Sequence, residues 1–291
     1  MPPDSVPSPK YFLGPDDLVR KLDQLPSAPT VLPRLLSVLN DTASSMLDVV
    51  SLIKLEPGTA ARVLRIGNSA FYSKGGRCES LGEAVNRIGF LKIYEVVAFS
   101  VSAQLLMRDL EVYGIKSAGL WQSAIACALS AEVLAPYCEL DSNLAYTAGL
   151  FHGVGMVAID IWSQTEPSFP HFLSTGYPRE TTAAEEKVLG FTNASAAAAL
   201  LRSWTFPHAI IEAVRWQYSP KDAGPHKTMA CLLNVAKYLR TSALSADGKP
   251  VEPLPEPWIM KAIRLEAETV EDRVAEVRTG IDAANQLVTG E

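Results

Sequence analysis

Concentrated positive charge, cysteine and histidine are all scarce in this 291-residue chain. It carries 26 Lys and Arg against 32 Asp and Glu, a net charge of -6, with no long basic run. A protein that holds nucleic acid by neutralising phosphates carries at least one basic stripe, so no nucleic-acid partner is expected. The four cysteines (Cys78, Cys127, Cys138, Cys231) lie far apart and form no C-x-x-C pair. That is the reduced, cytoplasmic pattern, in which Cys127 and Cys231 serve as small core residues. A G-x-S-x-G elbow is missing, and no Gly-rich phosphate loop follows a strand, because strand-like alternation is nearly absent. The opening "MPPDSVPSPKYFLGPDD" has no basic segment followed by an apolar one, so no signal peptide is expected.

What is present is helical periodicity in a globular composition, 48% hydrophobic and 20% charged. Pro15 opens a short helix, "VLPRLLSVLN" follows, Ser44 or Ser45 caps "MLDVVSLIKL", and Pro57 starts "PGTAARVLRIGNSA". Ser80 and Glu83 have capping-box spacing ahead of "LGEAVNRIG", and "FLKIYEVVAFSVSAQLLM" is apolar nearly all round and hence central. Alanine-rich helices are predicted over residues 120–137 and 143–162. Residues 142–159 carry no formal charge and just reach a membrane-spanning length, but Asn143, His152 and three glycines favour a buried helix over insertion.

Four more helices are predicted in "TAAEEKVLG", "NASAAAALLRSW", "PHAIIEAVRWQY" and "KTMACLLNVAKYLR". "TEPSFPHFLSTGYPRE" reads as a loop and "SADGKPVEPLPEP" as a linker. In the last helix Val270, Val274, Val277, Ile281, Ala284 and Val288 form a heptad-like seam. It is expected to cap the domain's own surface, with a dimer left open. The division is therefore a lead (1–14), a helical lobe (15–112), a bundle (113–243), a linker (244–257) and a C-terminal helix (258–291).

Five stretches in order carry a family resemblance. "LPSAPTVLPRLLSVLND", "EPGTAARVLRIGNSAFY", "SLGEAVNRIGFLKI", "LWQSAIACALSAEVLA" and "AYTAGLFHGVGMVAID" resemble successive segments of the HDOD domain, the HD-related output domain. The resemblance runs from about residue 25 to residue 240. It implies an all-α fold in which a helical lobe precedes a bundle derived from HD phosphohydrolases, and a role in bacterial signal transduction.

It also implies where hydrolase ligands would stand. The first histidine falls at Gln122, and the His-Asp pair becomes His152-Gly153. A further histidine falls at Asn193, a double histidine at Gln217 and Tyr218, and the last aspartate at Lys237. Metal-assisted hydrolysis needs carboxylate and imidazole ligands around an open water position. Glycine offers none, amides are poor ligands, and a lysine there repels a cation by several kcal/mol at short range. No metal, no cofactor and no catalysis are therefore expected.

His152 then reads as a satisfied core histidine, with Gly149 and Gly153 forming a ridge for close helix packing. The alternative is that Gln122, His152, Asn193, Gln217, Tyr218 and Lys237 line a former metal pocket that takes a nucleotide. A phosphohydrolase with divergent ligands is a third reading. Asn68, Ser69, Phe71 and Tyr72 are a candidate partner contact or a plain helix terminus. His171, His208 and His226 share no ligand spacing. Other signalling proteins are the expected partners, for a monomer or homodimer without a fused sensor.

Overall fold

A computed structural model describes residues 13–22, 29–69, 71–72, 76–89, 92–166, 168–172, 179–246 and 253–289. Most of the lead, the middle of the Pro-rich loop and part of the linker fall outside them. The fold is all-α: among the described residues there is no strand, only an isolated bridge between Leu110 and Ile115.

Helices α1 (Pro15–Arg20), α2 (Val31–Asn40), α3 (Met46–Lys54), α4 (Pro57–Gly67), α5 (Leu81–Ile88) and α6 (Ile93–Leu106) form the first half. Pro15 and Pro57 stand in the first turn, where a missing N–H costs nothing. Ser45, rather than Ser44, is the cap of α3; its N–H and Oγ both reach Asp48 Oδ2, at 2.8 and 2.7 Å. Ser80 Oγ accepts from Glu83 N, while the Glu83 carboxylate turns to the N–H of Glu79. Helices α2 to α6 pack into one lobe. Although α1 precedes that lobe in sequence, it packs on the bundle, where Arg202 reaches Asp16 at 3.0 Å.

The second half begins with α7 (Ser117–Leu134), α8 (Ser142–Phe151), α9 (Val154–Ser163) and α10 (Arg179–Leu189). It continues with α11 (Asn193–Ser203), α12 (His208–Arg215) and α13 (Lys227–Leu244). The single helix expected over 143–162 is two, parted by a turn at His152-Gly153. Stretches Ser117–Cys138 and Ser142–Ser163 are long and apolar enough to cross a membrane. In an 18-residue window of the second, 94% of the residues are buried within the protein, against α7, α11, α12 and α13.

Glycine makes that packing close. A Cβ on Gly149 would lie 2.5 Å from Cys127 O, so α7 and α8 touch backbone to backbone. Gly155 does the same for α9 against α11. Gly153, the other half of the expected ridge, would meet only the mobile end of Met156 at 3.0 Å and Leu120 at 3.9 Å.

The lobes meet along α6, where Tyr94 Oη and Thr147 Oγ1 are 2.6 Å apart and Lys92 reaches both Glu95 and Glu132. The connector after α6 is pinned to the bundle: Val112 N donates to Asp160 Oδ1 at 3.0 Å, and Phe172 N donates to Val112 O. The C-terminal segment is α14 (Pro257–Ala262), a left-handed residue at Arg264, and α15 (Val270–Thr289), not one helix. Val270, Val274 and Val277 are buried as α15 packs on α7 and α13, which makes it a cap. Arg278 fastens it by donating to Ala243 O and Ser245 O at the end of α13.

Candidate functional site

His152 ends α8 and is 2% exposed. Its Nδ1 lies 2.7 Å from Gly149 O and its Nε2 lies 2.8 Å from Arg240 Nη1. A carbonyl only accepts and a guanidinium only donates, so the proton sits on Nδ1 and the ring is neutral. Burial, with the charges of Arg240 and Lys237 nearby, holds its pKa well below the imidazole value. Both ring nitrogens are committed.

The backbone of His152 is tied in as well. Gln217, fully buried at the end of α12, donates Nε2 to His152 O at 2.9 Å and to Val214 O at 3.0 Å. Asn234 on α13 in turn donates to Gln217 O. Tyr218 Oη donates to Asn193 Oδ1 at 3.3 Å, and Lys237 Nζ stands 3.6 Å from the centroid of the Tyr218 ring. Asn193 opens α11, with its N–H and Nδ2 both on the Glu185 carboxylate. Tyr113 Oη completes that carboxylate's partners at 2.7 Å. Burial pushes Glu185 up to about 7, against the pull of these three donors.

The structure thus joins His152, Asn193, Gln217, Tyr218 and Lys237 in one neighbourhood. Gln122 does not enter it: the side chain is on the exposed face of α7, because the apolar face of that helix is taken by the core. Gly153 is the turn after α8 and contributes only backbone. The residue facing His152 is Arg240, one turn beyond Lys237, and the carboxylate among these residues is Glu185. Sequence reasoning missed both. Glu185 left a faint signal, eight residues before Asn193; Arg240 left only its helical step from Lys237.

The donors do not fit a divalent cation. Among the described residues no group of three or more His, Cys, Asp or Glu could hold one. The imidazole has no nitrogen to give, and two cationic side chains stand where a metal would need anions.

Elsewhere, Asn68 is a clasp. Its Nδ2 donates to Leu64 O and Cys78 O, and its Oδ1 accepts from Cys78 N at 2.7 Å. Ser69 Oγ returns to Ile66 O. Phe71 is 61% exposed, edge-on to the half-buried Tyr72. His208 and His226, eighteen residues apart, do meet, at 3.1 Å, whereas His171 lies apart on Glu111 O.

Beside the His152 neighbourhood a cavity of about 1270 Å³ opens between α11, the turn after α12, α13 and residues 253–259.

The model of the HDOD domain matches residues 25–220. Three solved structures share the fold. One is a Marinobacter aquaeolei VT8 protein whose name proposes signal transduction, with TM-score 0.69 and 24% identity over 94% of this chain and 61% of that one. Another is a Shewanella amazonensis SB2B protein whose name proposes a phosphohydrolase, with TM-score 0.67 and 24% identity over 93% and 97%. The third is a Geobacter sulfurreducens HDOD domain protein of unknown function, with TM-score 0.65 and 19% identity over 92% and 97%. An uncharacterized protein of Treponema pallidum (strain Nichols) is 22% identical over 269 residues, 85% of this chain. The chain spans about half (48%) of that relative's length. At these identities the likeness is one of fold.

Proposed function

The chain belongs to the HDOD family, and from that premise we propose that it is a non-catalytic bacterial signalling module whose former metal position is filled by its own guanidinium. The observation that carries this is the 2.8 Å contact between Arg240 Nη1 and His152 Nε2, which uses the last imidazole nitrogen for a fixed cation. Hydrolysis at such a site depends on a cation that lowers the pKa of bound water and faces the developing phosphoryl charge. A guanidinium offers charge but no site for a water to ionise. Output then passes through protein contacts, for which exposed Phe71 is a candidate, or through a small ligand. Four free thiols support placing the module in the reducing cytoplasm.

The test is metal analysis of the purified protein, with hydrolysis assays on cyclic dinucleotides and guanosine polyphosphates in added manganese or magnesium. The expected result is no stoichiometric metal and no turnover, for the wild type and equally for Gly153→Asp, which restores only the paired aspartate. Stoichiometric metal with turnover that His152→Ala abolishes would sink the proposal in favour of a phosphohydrolase with divergent ligands.

A further inference from the structure

The cavity beside His152 is electrically unlike the chain that encloses it. The protein as a whole carries -6, yet among the described residues Arg215, Lys221, Lys227, Lys237 and Arg240 line this space against the carboxylates of Glu186 and Glu256, with Glu212 3.9 Å from Arg215 beside it. Three of the cations are seated on aromatic rings. Arg215 lies 5.0 Å from the Trp216 centroid, Lys227 lies 4.8 Å from Trp258, and Lys237 lies 3.6 Å from Tyr218. A ring face positions a cation through its quadrupole without cancelling its charge. The carboxylate of Glu256 is engaged by Trp258 Nε1 at 2.7 Å. Lys237 and Arg240 are 6% and 4% exposed, so at the inner end their charge acts through a medium less polar than water.

We propose that this cavity binds a nucleotide bearing two or more phosphates. The phosphates lie on the cations, and the base lies against the indole rings of Trp216 and Trp258. Small-ligand sites commonly span about 300–1,000 Å³, so the space admits a nucleotide with its water. Cations that converge in a concave pocket suit a compact polyanion. A long nucleic-acid strand would have to run on past the pocket over a chain whose net charge is -6, where like charge repels. This inference names the ligand left open in the non-catalytic reading. Turnover of a bound nucleotide would remove that reading and leave this one standing, while absence of binding would remove only this one.

The experiment is calorimetric titration of the full chain at low salt with ATP, guanosine tetraphosphate, a cyclic dinucleotide, inorganic pyrophosphate and a polyglutamate peptide, with melting curves in parallel. At least one nucleotide is expected to saturate a single site and raise the melting temperature. The Lys221→Ala/Lys227→Ala pair, both exposed, should weaken it by about tenfold or more without changing the ligand-free melting temperature. Trp258→Leu removes both the base's platform and the seat of Lys227, and should weaken nucleotide binding more than pyrophosphate binding. Three results would overturn the proposal: no binding of any probe at millimolar concentration, binding that the double variant leaves intact, or tighter binding of a polyglutamate peptide than of any nucleotide.

Discussion

Replacing Gly155 by alanine tests whether α9 and α11 touch backbone to backbone. A Cβ there would stand 2.6 Å from Ala197 N and 2.8 Å from Asn193 C, and closer still to Asn193 O, where ordinary contact begins at 3.4 Å. Every obstructing atom is backbone, so no side chain can turn aside. The helices must part, against an interior packed as densely as an organic crystal. Overpacking of this kind costs up to about 3 kcal/mol. Alanine returns about 1 kcal/mol through its better helix propensity. The net loss of about 2 kcal/mol corresponds to a melting temperature lower by roughly 4–8 °C. Circular dichroism at 222 nm, followed through heating and urea, reads it directly. Gly153→Ala is the control: its nearest obstruction is the flexible end of Met156, and it should stay within about 0.5 kcal/mol of wild type. A Gly155→Ala protein as stable as wild type would refute the close contact and, with it, the placement of Asn193 beside Glu185 and Tyr218.

Two further perturbations address the ties around the site. Folded Glu185 keeps its proton to about pH 7, whereas the unfolded chain releases it near 4.5. Between those values the folded state binds more protons, so this residue's contribution to stability falls as pH rises. Wild type should therefore lose stability relative to Glu185→Gln from pH 4.5 to 7 in urea titrations, and parallel curves would contradict it. Arg278→Ala removes two charge-assisted hydrogen bonds from the end of α13 and should cost about 2 kcal/mol. Arg278→Lys should recover less than half, because an ammonium cannot reproduce the fork; full recovery in the urea midpoint would show that charge alone suffices.

Much of the helical order is legible in the chain because its signals are local. Proline marks the starts of α1 and α4, Ser45 and Ser80 cap α3 and α5, and apolar spacing marks the inward faces. The break at His152-Gly153 is hard to read from the chain, because the apolar run continues through it and glycine alone does not fix where a helix ends. Gln122 illustrates another limit. Alignment to a motif gives a position on a helix but not which way the side chain faces, and here it faces outward. Arg240 and Glu185 escaped for a related reason. Each is one charged residue among several on its helix, and only packing decides that these two are buried. The pairing of His208 with His226 likewise depends on the path between α12 and α13, which spacing does not encode.

A group that the chain carries in its own covalent structure cannot be exchanged, chelated or starved. Because Arg240 donates to His152 Nε2 from within the same chain, this contact forms with the fold itself and brings its own positive charge to the heart of the bundle.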